Sequence, residues 1–130
     1  MLPQGNLKGH KLGVLGLTYK PGTSTLRRSL PVEIVKLLLE KGGKISVFDP
    51  KANYEEWPGE RDLTISRNAE ELVKGSDAVL LLTEWPEFRG LRWKTLLRKD
   101  RPQVVLDAKN CLIDLNLEKM GYQYFRIGKN

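Results

Sequence analysis

Residues 11–31, KLGVLGLTYKPGTSTLRRSLP, decide how the rest of the chain is read. Leu12, Val14, Leu15 and Leu17 form an apolar run too short to span a membrane and too continuous for a strand with one wet face. That is the pattern of a parallel strand covered on both sides. The strand is expected to end near Thr18. Around Pro21 and Gly22, the residues Tyr19, Lys20, Thr23, Ser24, Thr25, Arg27, Arg28 and Ser29 then supply a phenol, three cations and four hydroxyls. A phosphate would find many donors in such a turn. A helix is expected from about Leu30, with Ser29 as N-cap and Pro31 in the first turn, so that its amide-rich, dipole-positive end faces the turn.

Working outward, residues 1–10 contain Pro3, Gly5 and Gly9 without a period and read as a lead-in or linker, leaving residues 11–130 as one domain. Leu30, Ile34, Val35, Leu37 and Leu38 recur at helical spacing, and Gly42-Gly43 stops that helix. Ile45, Val47 and Phe48 make a second strand ending at Asp49-Pro50. Strand, turn, helix and strand within this span form a βαβ unit with parallel strands and a right-handed crossover. Residues 51–62 read as a polar surface loop and Leu63–Ile65 as a brief strand, while Asn68 caps a helix through Val73 that stops at Gly75. Ala78 to Leu82 is a continuous apolar strand ending at Thr83-Glu84-Trp85-Pro86. Residues 87–99 are helical in parts, with Leu91, Leu96 and Leu97 inward. Val104 to Leu106 is a strand ending at Asp107-Ala108-Lys109-Asn110, followed by a short helix around Leu115 to Met120 and a last strand from Tyr122 to Ile127. The expected fold is α/β: a Rossmann-like, three-layer open sheet, mostly parallel, of five to six strands. In such a sheet the turns at Tyr19-Lys20, Thr83-Glu84-Trp85 and Asp107-Lys109-Asn110 share one rim, at the carboxyl ends of the strands.

The bulk numbers narrow the function. The chain has 130 residues, 40% of them hydrophobic, a mean hydropathy of -0.40 and a formal net charge of +6. No apolar run reaches the length of about 18 residues needed for a membrane helix, and the N-terminal residues lack the apolar segment of a signal peptide, so a cytoplasmic protein without membrane contact is expected. One Cys and one His exclude an internal disulfide and a Cys/His zinc cluster, and no metal site is expected. Residues 1–44 hold eight Lys or Arg against Glu33 and Glu40, whereas residues 45–130 hold fourteen of each sign. The excess sits around the cationic turn, which points to a local anion site. A nucleic-acid binder would spread its cations along a face, so no nucleic-acid partner is expected.

The same rim residues carry a family likeness. GLTYKPGTSTLRRS resembles the G-L-x-(F/Y)-K-P-x-T-x-D-x-R-x-S signature of the UDP-glucose/GDP-mannose dehydrogenases, and specifically of their C-terminal UDP-binding domain. DAVLLLTEWPEFR is similar to that family's D-x-x-x-x-x-T-E-W-x-E-F, VVLDAKN to its D-x-R-N turn, and YQYFRIGK to its closing Y-x-x-I-G-(R/K). The resemblance implies one part of a three-part enzyme that oxidises the C6 hydroxyl of a nucleotide sugar to a carboxylate by two hydride transfers to NAD. It implies that Tyr19 and Lys20 contact the nucleotide sugar, Lys20 at the diphosphate. Lys109 stands where the family usually has an arginine that contacts the same ligand, and Arg27 matches the arginine that reaches toward NAD held by the other domain. Lysine at 109 keeps the charge and loses the planar fork. Ser24 and Thr25 stand where acids are common, and Arg28 where a glutamate is common, so this turn is the more positive.

No G-x-G-x-x-G occurs, and Cys111 lacks the glycine-rich setting of the family's catalytic cysteine, so no catalytic residue is assigned and the chain alone is expected to perform no oxidation. Cys111 reads as a buried small residue, Trp85 as a packing residue, and Asp49 as an aspartate that stabilises the turn before Pro50. The implied partners are a UDP-sugar, the NAD-binding and catalytic domains, and a second copy in a homodimer. A free-standing Rossmann-like module that senses nucleotides or pairs with a partner protein is the alternative.

Overall fold

The computed structural model describes residues 9–18, 20, 22–26, 29–57, 62–100 and 102–127. Six strands form one sheet: β1 (Lys11–Leu15), β2 (Lys44–Phe48), β3 (Leu63–Ile65), β4 (Ala78–Leu81), β5 (Val104–Asp107) and β6 (Gln123–Arg126). Their order is β3-β2-β1-β4-β5-β6, and every neighbouring pair is parallel. The expectation of five to six mostly parallel strands resolves as six, all parallel. The sheet grows outward from β1 in one direction and from β4 in the other. The gap between their carboxyl ends is therefore the switch point where such sheets bind ligands.

Among the described residues four helices complete the three layers: α1 (Leu30–Glu40), α2 (Ala69–Gly75), α3 (Trp93–Leu96) and α4 (Leu117–Met120). Successive strand residues point to opposite faces, so Leu12 and Val14 meet α1 while Leu15 faces the other layer. On the α1 side, Val32 and Val35 pack with Leu12, Val14, Ile45, Val47 and Ala78. On the other side, Leu72, Val73, Trp93, Leu96 and Leu117 cover Leu15, Val79, Leu81 and Val105. Gly13 lets α2 sit this close, since a Cβ there would lie 2.4 Å from both Leu72 Cδ2 and Ser76 Oγ.

The inner face of α1 was not legible in its spacing. Pro31, Val32 and Val35 are buried, but Leu30 and Leu37 are 66% and 52% exposed. The sequence LPVEIVKLLLE is apolar on nearly every side, so packing against the sheet chose the face. The polar loop after β2 contains a 3-10 turn, Tyr54–Glu56, whose Tyr54 joins the α1-side core. Among the described residues no helix is long and apolar enough to cross a membrane.

Candidate nucleotide-binding rim

The first strand stops at Leu15, three residues before the expected end near Thr18. Gly16 has φ +98, a left-handed conformation that breaks the extended run. A Cβ on Gly16 would lie 2.4 Å from Thr83 Cβ and 2.6 Å from Thr83 N, so the exits of β1 and β4 touch backbone to backbone. Beyond Gly16 the amides leave the ladder and bond to a side chain. Leu17 N and Thr18 N donate to Asp49 Oδ2 at 2.8 and 3.0 Å. The same oxygen accepts from Thr18 Oγ1 and from the Trp85 indole Nε1, each at 3.0 Å, while Lys51 N donates to Oδ1 at 2.9 Å. Asp49 is 3% exposed, and among the described residues it has no cationic partner. Its partners are N–H and O–H dipoles. Asp49 thus stabilises its turn as expected, and Trp85 is a buried packing residue whose indole N–H also belongs to the network.

The rest of the cationic turn is fastened at several further points. Thr83 Oγ1 donates to Thr18 O at 2.7 Å, and Thr23 Oγ1 to Lys20 O at 2.9 Å. Asn53 N donates to Ser24 O at 2.7 Å, and Glu56 Oε1 accepts from Leu26 N at 2.6 Å and Thr25 Oγ1 at 3.1 Å. Ser29 Oγ donates to Leu17 O and accepts from Val32 N, tying the tail of β1 to the start of α1. Ser29 is the N-cap, but the helix end is poorer in free amides than expected. Val32 N and Glu33 N are both taken by Ser29 oxygens and Pro31 has no N–H, so among the described residues Leu30 supplies the one unclaimed amide of the first turn.

Lys20 is exposed, and no carboxylate among the described residues lies within ion-pair distance of it. Lys109 is also exposed, in the turn after β5. Because β1, β4 and β5 are consecutive neighbours, the two lysines flank the Thr83-Glu84-Trp85 turn along one rim. Tyr19 and Arg27, like residues 1–8 of the expected lead-in, lie outside the described residues.

One expected rim residue points inward instead. Asp107 is fully buried and accepts from Leu112 N at 2.7 Å, Lys109 N at 3.2 Å and the Tyr124 hydroxyl at 2.7 Å. Asn110 donates from Nδ2 to Ile127 O at 2.9 Å. Asp107 therefore closes the β5 turn, as Asp49 closes the one at β2, and leaves Lys109 outside it. Cys111 is half-buried, with Sγ 3.8 Å from Asp107 Oδ1. Burial first, then the Asp107 charge and hydrogen bond and the Glu84 charge, push its thiol up to about 12. A thiol so shifted stays protonated at neutral pH. Thr18 and Thr83 were read from sequence only as strand ends, and Glu56 was not singled out; the available signal for their fastening role was the aspartate closing both β2 and β5, which can accept from the amides that follow it.

A hollow of about 350 Å³ lies at the opposite, amino edge of the sheet, lined by residues including Lys11, Lys44, Ser46, Asp62 and Thr64. Parallel sheets present ligands at their carboxyl ends, so the rim rather than this trough is the candidate site.

The description "UDP-glucose/GDP-mannose dehydrogenase family, UDP binding domain" belongs to a family model that matches residues 13–114. A UDP-glucose 6-dehydrogenase of Rickettsia bellii is 35% identical over 125 residues, covering 95% of this chain and 29% of that protein. The structure of a UDP-glucose dehydrogenase from the hyperthermophilic archaeon Pyrobaculum islandicum superposes with a TM-score of 0.72 at 30% identity, over 95% of this chain and 26% of that one. An NDP-N-acetyl-D-galactosaminuronic acid dehydrogenase from Methanosarcina mazei shares the fold at a TM-score of 0.75 and 24% identity, over 95% of this chain and 25% of that one. The chain thus spans about 29% of the length of the curated relative. With the family model, the curated relative and the archaeal structure all meeting on this one sheet, the chain belongs to the UDP-glucose/GDP-mannose dehydrogenase family, as its UDP-binding domain.

Proposed function

We propose that the rim binds the UDP end of a nucleotide sugar, with Lys20 against the diphosphate, Tyr19 and Lys109 against the same ligand, and Arg27 reaching toward NAD held by another domain. One observation supports this most strongly. Lys20 is an exposed cation without a carboxylate partner among the described residues, on a turn fastened on both sides at the sheet's switch point. An amine so placed is open to an incoming anion.

In the whole protein the bound sugar is oxidised at C6 from alcohol to carboxylate, and NAD accepts the hydrides. The residues of this chain do not fit NAD themselves. The acid that ends β2 in a dinucleotide-binding domain takes the ribose hydroxyls, but Asp49 is buried with all its bonds directed at protein donors. The redox step accordingly belongs to the complementary NAD-binding and catalytic domains, which are the proposed partners. The proposed setting is cytoplasmic, in keeping with a lone thiol, and a second copy in a homodimer is a further proposed partner.

Calorimetric titration of UDP, UDP-glucose, NAD and a short DNA duplex at two salt concentrations tests the reading. UDP should bind, and Lys20→Ala should weaken it about tenfold, roughly the worth of one charge-assisted hydrogen bond, without unfolding the chain. Equal UDP affinity in the variant, or preference for DNA, would refute it.

A further inference from the structure

We infer that Thr18 is a positioning residue that sets the backbone of Lys20 for ligand, acting through the carboxylate of Asp49 and the hydroxyl of Thr83. The inference rests on the reading of the rim as the UDP site. A lysine ammonium rides on a flexible stem, so the accuracy with which it meets a diphosphate depends on how firmly its own peptide is held. Every polar group of Thr18 is committed to that holding. Its amide donates to Asp49 Oδ2, its carbonyl accepts from Thr83 Oγ1, and its hydroxyl lies 3.0 Å from Asp49 Oδ2 and 3.3 Å from Lys20 O. The hydroxyl has one proton, so it bonds the carboxylate or the Lys20 carbonyl at a given moment, and both acceptors keep it between them. Thr18 is fully buried, so it cannot itself touch ligand.

The choice of fastener points the same way. A buried negative charge beneath an anion-binding turn opposes anion binding, and a core needing only stability has neutral alternatives. What a carboxylate supplies is an electron-rich oxygen that four donors can share, here two amides, a hydroxyl and an indole within 3.0 Å. Those donors come from the β1 exit and the β4 turn, the two segments that meet at the switch point. The network locks the segment leading into Lys20 against its neighbours.

The test is a double-mutant cycle read alongside amide exchange. Thr18→Val keeps the shape, the β-branch and both backbone bonds, and removes the hydroxyl alone. It should lower UDP affinity about fivefold with a near wild-type thermal midpoint, and speed hydrogen exchange at the amides of Lys20 and Gly22 without ligand. In a Lys20→Ala background the same substitution should change UDP affinity by less than about twofold, because the residue it acts through is gone. Thr18→Ser should restore binding, and Thr83→Val should reproduce the defect by freeing the Thr18 carbonyl. Wild-type affinity and exchange in Thr18→Val would overturn the positioning role, as would an equal loss in both backgrounds. If the wild-type chain binds UDP and Lys20→Ala binds it as well, the rim reading fails by itself. Exchange at Lys20 and Gly22 then shows separately whether Thr18 holds the turn. If the wild-type chain binds no UDP, the positioning role falls with the rim reading.

Discussion

At the scale of single residues, the acids that close β2 and β5 do the same work. Each is buried, and each collects the donors of the turn that follows it and of neighbouring chain. Asp49→Ala would leave Leu17 N, Thr18 N and the Trp85 indole facing no acceptor. It should cost about 3 kcal/mol or more of stability in urea unfolding. Lys109→Arg would restore the planar fork usual at that position, and calorimetry should show UDP bound about threefold more tightly. The thiol gives a pH signature. Cys111 rises from 9.0 to about 12, and Tyr122 rises from 10.0 to about 12 through burial. Folded values above unfolded ones mean stabilisation that is complete below about pH 9 and is lost as the pH climbs toward 12. Urea midpoints should therefore fall across that interval, and alkylation of Cys111 near neutral pH should be slower in the native chain than in the unfolded one. A thiol alkylated at the same rate in native and unfolded chain would contradict the burial.

At the scale of elements, β1 and α1 show what sequence reading can and cannot reach. The strand, the cap at Ser29 and the helix that follows were legible because a continuous apolar run and a hydroxyl before Leu-Pro are local signals. The end of β1 was not, because it depends on Gly16 meeting Thr83, a contact between residues distant in sequence. The same holds for Asp49: its identity as a turn aspartate was visible, but its reach to Trp85 needs the sheet order. Lys20 and Lys109 could be placed on one rim before the structure, since parallel strands all point one way, whereas the inward turn of Asp107 could not. Gly16→Ala should shift the β4 exit and lower stability by about 2–4 kcal/mol, as overpacking combined with a left-handed backbone demands. Ser29→Ala removes the helix cap and the bond to Leu17 O together, and should cost about 1–2 kcal/mol in the same assay.

At the scale of the molecule, the order β3-β2-β1-β4-β5-β6 gathers the turns after β1, β4 and β5 at one edge, and Lys20, one of the eight cations of residues 1–44, stands on the first of them. The opposite edge carries its own lysines, Lys11 and Lys44, around an open trough. Two basic regions at opposite ends of one sheet make the location of the ligand a sharp question. The most direct measurement is UDP titrated into isotope-labelled chain, with amide shifts followed residue by residue in NMR spectra. The predicted result is a set of shifts confined to Thr18, Lys20, the 83–85 turn and the 107–110 turn, needing about tenfold more UDP in Lys20→Ala. Shifts gathered instead at Lys11, Lys44 and Thr64 would contradict it.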